Sequence, residues 1–293
     1  MTVGISTAHL LLPDASVARI LDEVAALAPA AVELAAGGPE GLQRALAGAV
    51  AGAGVPIVAL EAFFPGPRPL AGPALAAADA GERGVAQRLC ERTIYTAAEL
   101  GARVVVVRLG AVAFNADHAG RRDAFERGDL DEQAWQPARA ARAAAAPAHL
   151  DAARLALEPL LRVAEAAAVV LAVTNPPEFA ELPDAAEVAR LLADFRGAPL
   201  GTWYDTAAAH VLEAVGAAPA GAALAAFGRG AAGVHLTDAA GLARGLAPGT
   251  GEVDFAALTG ALPQDAPRFV HCAPGVFRRE VHEALEAMQR TFR

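Results

Sequence analysis

Arg103–Leu109 reads RVVVVRL, four consecutive valines closed in by two arginines. β-branched side chains suit an extended backbone. An unbroken apolar run marks a strand covered on both faces, as in a parallel sheet wrapped by helices. Outward from it, similar short runs recur at Thr2–Ser6 (TVGIS), Ala31–Leu34 (AVEL), Pro56–Leu60 (PIVAL), Val169–Val173, Leu200–Tyr204, Gly233–Leu236 and Arg268–Cys272. Helical patterns separate them. Val17, Ile20, Leu21, Val24 and Leu27 share one face at a spacing of about 3.6 residues. Further helices are predicted over Glu82–Leu100, Leu150–Ala168, Ala185–Phe195 and Arg278–Arg290.

Eight strand candidates alternating with helices over 293 residues have the size and rhythm of a (β/α)8 TIM barrel of the α/β class. A doubly wound open sheet would carry a Gly-rich turn after its first strand, and GISTAHLLLPD (Gly4–Asp14) has none. One domain is expected over residues 1–293, without linker or internal repeat. A long βα loop insertion with some helical content is expected at about 111–147, on the face where barrel active sites are built.

The chain holds 33 acidic and 24 basic side chains, all of the latter Arg, for a net charge of -9. At 55% hydrophobic residues it is no disordered chain. The acidic balance argues against nucleic acid. Arg121, Arg122 and Arg127 cluster, but Asp117, Asp123, Glu126 and Asp129 interrupt them and make a mixed solvated face. No apolar run approaches the roughly 20 residues of a membrane span. The opening MTVGIST has no basic n-region. Cys90 and Cys272 give neither a disulfide framework nor zinc spacing. A cytoplasmic protein is expected, with a small-molecule substrate and no nucleic-acid or membrane partner. Its oligomeric state is open, a homo-oligomer included.

In a barrel, side chains at the C-terminal tips of the strands converge on one cavity. The tips present His9 beyond strand one, Glu33 on strand two, Glu61 after strand three and Arg108 at the end of strand four. Thr174 and Asn175 follow strand five, Asp205 strand six, His235 and Asp238 mark strand seven and its exit, and His271 ends strand eight. Each has a plainer reading. Asp205 caps a helix well, and His235 suits a satisfied structural histidine. Arg108 is either an anion-binding group or the partner of an inward acid such as Asp238 or Glu33, because a buried guanidinium needs one. Trp203 and Tyr204 read as packing; His118, His149 and His282 read as surface. Asp205, His235 and His271 stand on consecutive strands about 4.8 Å apart and are the candidate metal ligands. Two imidazoles and a carboxylate suit Mn, Zn, Fe or Co better than Mg. A metal-free site, with His235 and His271 as acid and base, stays open.

GVHLTDAAG (Gly233–Gly241), LAPGTGEVDFAAL (Leu246–Leu258), LEPLLRVAEAAAVVLAVTN (Leu157–Asn175) and PLGTWYDTAAAH (Pro199–His210) resemble the xylose isomerase-like TIM-barrel superfamily. That group includes sugar-phosphate isomerases and epimerases, hydroxypyruvate isomerase, dehydratases and endonuclease-four-type enzymes. The resemblance implies a divalent metal on Glu of strand five, Asp of strand six, His of strand seven and Glu of strand eight, the glutamates doubling as proton-transfer pair. Here the strand-five position is Thr174 and the strand-eight position His271. Ala208 replaces the His three past the strand-six Asp, and Arg108 the His that ends strand four. Asp205 and His235 stand intact.

A sugar isomerase/epimerase-like enzyme of altered site is therefore expected, acting on a small oxygen-rich carbonyl or polyhydroxylated substrate by isomerisation, epimerisation or dehydration. A metal on Asp205, His235 and His271 would act as Lewis acid. Glu33, Glu61 or His9 would supply the base, His271 could also serve as acid/base, and Arg108 would hold a substrate oxygen. Arg108 is the one arginine well placed, which favours a non-phosphorylated ligand. The alternative is a catalytically degenerate barrel kept for binding or scaffolding. Oxygen activation by two imidazoles and a carboxylate on iron follows from ligand type alone.

Overall fold

The computed structural model describes residues 3–37, 42–62, 64, 73–114, 124, 126–127, 129 and 135–293. Its eight barrel strands are β1 (Val3–Ser6), β2 (Val32–Leu34), β3 (Ile57–Glu61), β4 (Val104–Val107), β5 (Val170–Thr174), β6 (Leu200–Asp205), β7 (Ala231–Leu236) and β8 (Arg268–Val270). They are hydrogen-bonded in chain order, all parallel, and β8 closes on β1. The helices are α1 (Val17–Leu27), α2 (Leu42–Gly52), α3 (Ala80–Glu99), α4 (Gln136–Ala166), α5 (Ala185–Asp194), α6 (Thr206–Ala214), α7 (Phe255–Leu258) and α8 (Arg278–Thr291). One follows each strand, so the expected (β/α)8 barrel is what the chain forms.

Successive strand residues point to opposite faces. On β4, Val105 and Val107 join the large core between sheet and helices, while Val104 and Val106 face a separate cluster inside the barrel. That inner cluster also holds Ala31, Ala59, Ala172, Trp203 and Phe269. Small residues on most staves leave room for two large rings, and Trp203 stacks on Phe269 at 6.0 Å. Glycine is required beside them. A Cβ on Gly233 would lie 2.1 Å from the Trp203 ring, and one on Gly4 would lie 2.2 Å from the Ala31 carbonyl oxygen. The rings thus form a floor, and the residues two positions further along each strand stand directly above it.

One helix is longer than expected and one was not expected at all. The loop expected to about Pro147 with some helical content is continuous helix from Gln136, inside α4. Its alanines and arginines are strong helix formers, but their sparse apolar residues leave no clear amphipathic stripe to read. Pro147 lies on the exposed side of this helix. α2, over LQRALAGAVAG, carries so much Ala and Gly that its buried face, Leu42, Leu46, Ala47 and Val50, was equally hard to see. Asp117, His118, Arg121, Arg122 and Asp123 lie outside the described residues. Arg127 and Asp129 form an exposed ion pair at 3.2 Å, as a solvated face would. Among the described residues no helix is long and apolar enough to cross a membrane.

Gly233→Ala forces a methyl into the fully buried Trp203 ring. It should lower unfolding stability by about 3 kcal/mol, the upper end for overpacking. Denaturant melts should show that Gly233→Ala costs far less in a Trp203→Leu background, where the obstructing ring is gone.

Candidate active site at the C-terminal mouth

The layer above the floor is polar because each strand places a polar residue two positions after its floor residue. Ala31 precedes Glu33, Ala59 Glu61, Ala172 Thr174, Trp203 Asp205, Gly233 His235 and Phe269 His271. His235 is the hub. Its Nε2–H donates to Glu33 Oε1 at 2.7 Å across the lumen, and Glu61 Oε1 lies 3.8 Å from the same nitrogen. Its Nδ1 faces Asp205 Oδ2 at 3.6 Å. His271 stacks on it with ring centroids 4.2 Å apart, and His271 Nε2 lies 3.7 Å from Glu61 Oε1. Trp203 meets the His235 ring edge-on from below at 5.1 Å. Glu33 and His235 are sealed in, whereas the side chains of Glu61, His271 and Asp205 remain about one-fifth exposed (22%, 21% and 20%).

Charge follows from this packing. Burial alone would strip the proton from His235, but Glu33, Asp205 and Glu61 around it raise its pKa to about 10. Burial pushes the Glu61 and Asp205 carboxyls upward, and the imidazoles facing them more than reverse this, holding both below the usual carboxylate range. The backbone N–H of Ala36, at 2.7 Å from Glu61 Oε2, adds to that effect.

Neighbouring segments hold these side chains in place. Asp205 Oδ1 accepts the N–H of Ala208 at 2.8 Å and caps α6, so the capping role and the mouth-facing role use different oxygens. Asn175 brackets the Asp205 backbone, accepting its N–H at 2.7 Å and donating to its carbonyl at 3.0 Å. Thr206 donates to the carbonyl oxygens of His235 and Thr237. Gln43 Nε2 donates to Glu61 O at 2.9 Å and to Leu34 O at 3.2 Å, tying together the tips that carry Glu33 and Glu61. Gln43 was missed because its helix was not predicted, and Thr206 because a threonine directly after Asp205 reads as the first residue of the capped helix. Thr174 lies in the polar layer, its hydroxyl turned to the Asn175 carbonyl at 3.4 Å.

Several expected residues are engaged elsewhere. Arg108 does not meet Asp238 or Glu33: Glu181, 73 residues on, binds it through Nε and Nη2 at 3.2 and 2.6 Å. Burial raises the Glu181 carboxyl pKa, and Arg108 offsets this only in part. Asp238 is fully buried and accepts the N–H groups of Ala239, Gly249, Gly251 and Val253, so it orders the PGTGEV loop. Gly251 is obligatory there, because its Cβ would lie 2.3 Å from the Ala239 carbonyl oxygen. His149 is half-buried, with both ring nitrogens engaged. Its Nδ1–H donates to Ala76 O at 2.9 Å and its Nε2 accepts the Ala113 N–H at 3.2 Å, pinning two loops to α4. His282 is exposed beside Glu286, and Trp203 and Tyr204 are buried packing.

His9 lies beside the mouth, buried, its Nδ1–H donating to Ser6 O at 3.1 Å. Its Nε2 is then a bare acceptor, buried without a partner among the described residues. Burial lowers its pKa to about 4. It also lines a cavity of about 330 Å³ with Leu12, Ile20, Val276 and Arg278.

Glu33, Glu61, His235 and His271 each offer one donor atom within 4.8 Å of the others. Glu33 Oε2 and His271 Nδ1 are buried with no hydrogen-bond partner among the described residues. Carboxylate and imidazole donors of this mixture fit a first-row divalent ion.

The sequence matches the family described as xylose isomerase-like TIM barrel over residues 21–290. No curated protein matches it in sequence. Among solved structures, an L-ribulose 3-epimerase is 18% identical with TM-score 0.70, covering 99% of this chain and 94% of its own. A D-allulose 3-epimerase from Methylomonas sp. in complex with D-allulose is 15% identical with TM-score 0.70, covering 99% and 97%. The 3-keto-D-glucoside 4-epimerase YcjR from E. coli is 13% identical with TM-score 0.65, covering 99% of each chain. Likeness at this identity shows the shared fold.

Neutral His9 binds no proton in the folded state until the pH nears 4, whereas the unfolded chain takes one up near 6.5. Stability therefore falls as the pH drops through that window, by about 2 kcal/mol from pH 7 to pH 5. Urea midpoints of wild type and His9→Gln should show that much less acid sensitivity in the variant.

Proposed function

Because the chain belongs to the xylose isomerase-like TIM-barrel family, we propose that it is a sugar isomerase/epimerase-type enzyme acting on a small, non-phosphorylated, polyhydroxylated carbonyl compound. The observation that carries this reading is the convergence of Glu33, Glu61, Asp205, His235 and His271 from five strand tips on one mouth. Such a constellation buries charge at a cost that a purely structural barrel would avoid. The guanidinium of Arg108 is matched by Glu181, which leaves no strand-tip arginine free for a phosphate among the described residues and supports a neutral substrate. The named substrates of the solved relatives, L-ribulose and D-allulose, are ketoses of that class.

The common first step is removal of a proton from the carbon beside the carbonyl, with the C–H electron pair passing into the C–C bond and the carbonyl electrons onto oxygen. The base is drawn from Asp205 and Glu61, the carboxylates that reach the mouth; Glu33 is sealed beneath. These two flank His235 on its opposite nitrogens, so a substrate above the ring meets one carboxylate on each side. Returning the proton to the same carbon from the other side epimerises it, and returning it to the neighbouring carbon isomerises. Loss of a β-hydroxyl as water would instead complete a dehydration. His271, partly exposed beside Glu61, is placed to pass protons between substrate oxygens. A divalent ion bound among the mouth's carboxylates and imidazoles would polarise the carbonyl and stabilise charge on its oxygen.

Ketopentoses and ketohexoses incubated in D2O with Mn²⁺ or Co²⁺ test this by NMR. Deuterium should enter at the carbon next to the carbonyl. Asp205→Asn and Glu61→Gln should each slow entry by about 100-fold or more. If the wild-type protein labels none of these sugars, the enzyme reading fails and a binding or scaffold barrel takes its place.

A further inference from the structure

We infer that the divalent-ion seat of this barrel is Glu33, Glu61, His235 and His271, on the β2–β3 side of the mouth, with Asp205 outside it. This rests on the reading of the mouth as the active site and adds where the ion sits and which carboxylate is left free. An imidazole gives one nitrogen to one ion. His235 turns Nε2 towards Glu33 and Glu61, at 2.7 and 3.8 Å, and Nδ1 towards Asp205 at 3.6 Å. An ion shared by His235 with the two glutamates takes Nε2, on the far side of the ring from Asp205. The other Asp205 oxygen is already bound to the Ala208 N–H.

The four donors lie within 4.8 Å of one another. Ligands bound at about 2.0–2.2 Å stand no more than about 4.4 Å apart, so a small inward movement closes the seat. One further atom points to a missing ligand: Glu33 Oε2, on a side chain with no exposure at all, is buried without a partner among the described residues. In this arrangement Asp205 accepts the Nδ1–H and orients the ring, as carboxylates behind metal-bound histidines do. Glu61, bound to the ion through Oε1, and Asp205 still stand at opposite nitrogens of His235, and Asp205 is the one of the two that the ion leaves free.

Protein purified without a His-tag and freed of metal by chelation is titrated with Co²⁺, followed by calorimetry and by visible absorption. One Co²⁺ per chain is expected. Glu33→Gln and Glu61→Gln should each weaken binding by more than about 100-fold, and Asp205→Asn by less, about 10-fold, the lower end for a carboxylate behind a metal-bound histidine. Thermal melts report folding, and Glu33→Asp substitutes for a Glu33→Gln protein that does not fold, with the same direction expected. Binding lost in Asp205→Asn and kept in the glutamate variants overturns the seat and restores Asp205, His235 and His271 as ligands. No Co²⁺ uptake by wild type overturns it as well. Deuterium exchange on the same samples judges the enzyme reading separately, because exchange without bound ion would leave that reading standing.

Discussion

The contact on which the site depends is a 2.7 Å hydrogen bond from His235 to Glu33, thrown across the lumen from β7 to β2. Both groups are almost wholly out of water, and charges so buried persist only when each finds a partner. Glu33 alone does not satisfy the ring, so Asp205 and Glu61 stand near its two nitrogens and His271 lies over its face. Five strands are thereby tied to one imidazole. Apolar side chains would often fill the same space at least as stably, so packing alone does not account for a polar cluster there.

That cluster needs a platform, and the platform is made of size differences. Trp203 and Phe269 fill the lumen because glycine and alanine occupy most of the staves around them. The floor fixes the height of the polar layer, since each functional side chain is two residues past a floor residue. The loops are held by a second device, buried acids facing backbone N–H groups or guanidinium. Asp238 orders the loop after β7 through four amide contacts, and Glu181 fastens Arg108. Arg142 reaches the Glu181 carbonyl and the Glu187 carboxylate, joining α4 to α5 and to the same loop.

Much of this was legible in the residues. The valine run of β4 and its seven fainter counterparts announce a parallel sheet buried on both faces. The strand-tip rule picks out Glu33, Glu61, Asp205, His235 and His271 without coordinates. The helices of low periodicity were not legible, because Ala and Gly in α2 and Ala and Arg in α4 leave no apolar stripe to count. Nor was the partner of Arg108. Glu181 lies in a loop after the next strand, and nothing in its own neighbourhood distinguishes it from any acidic loop residue.

Local pattern settled the barrel and the roster of polar groups at its mouth, because an apolar run and the residue that ends it are properties of neighbouring residues and survive without long-range information. The pairing of those groups is another matter. Which nitrogen of His235 faces the glutamates, that Asp205 divides its oxygens between a helix cap and the ring, and that Glu33 spans the lumen all depend on how staves far apart in sequence tilt towards one axis. Closure of the barrel sets those distances, and electrostatics at a few ångströms turns them into function.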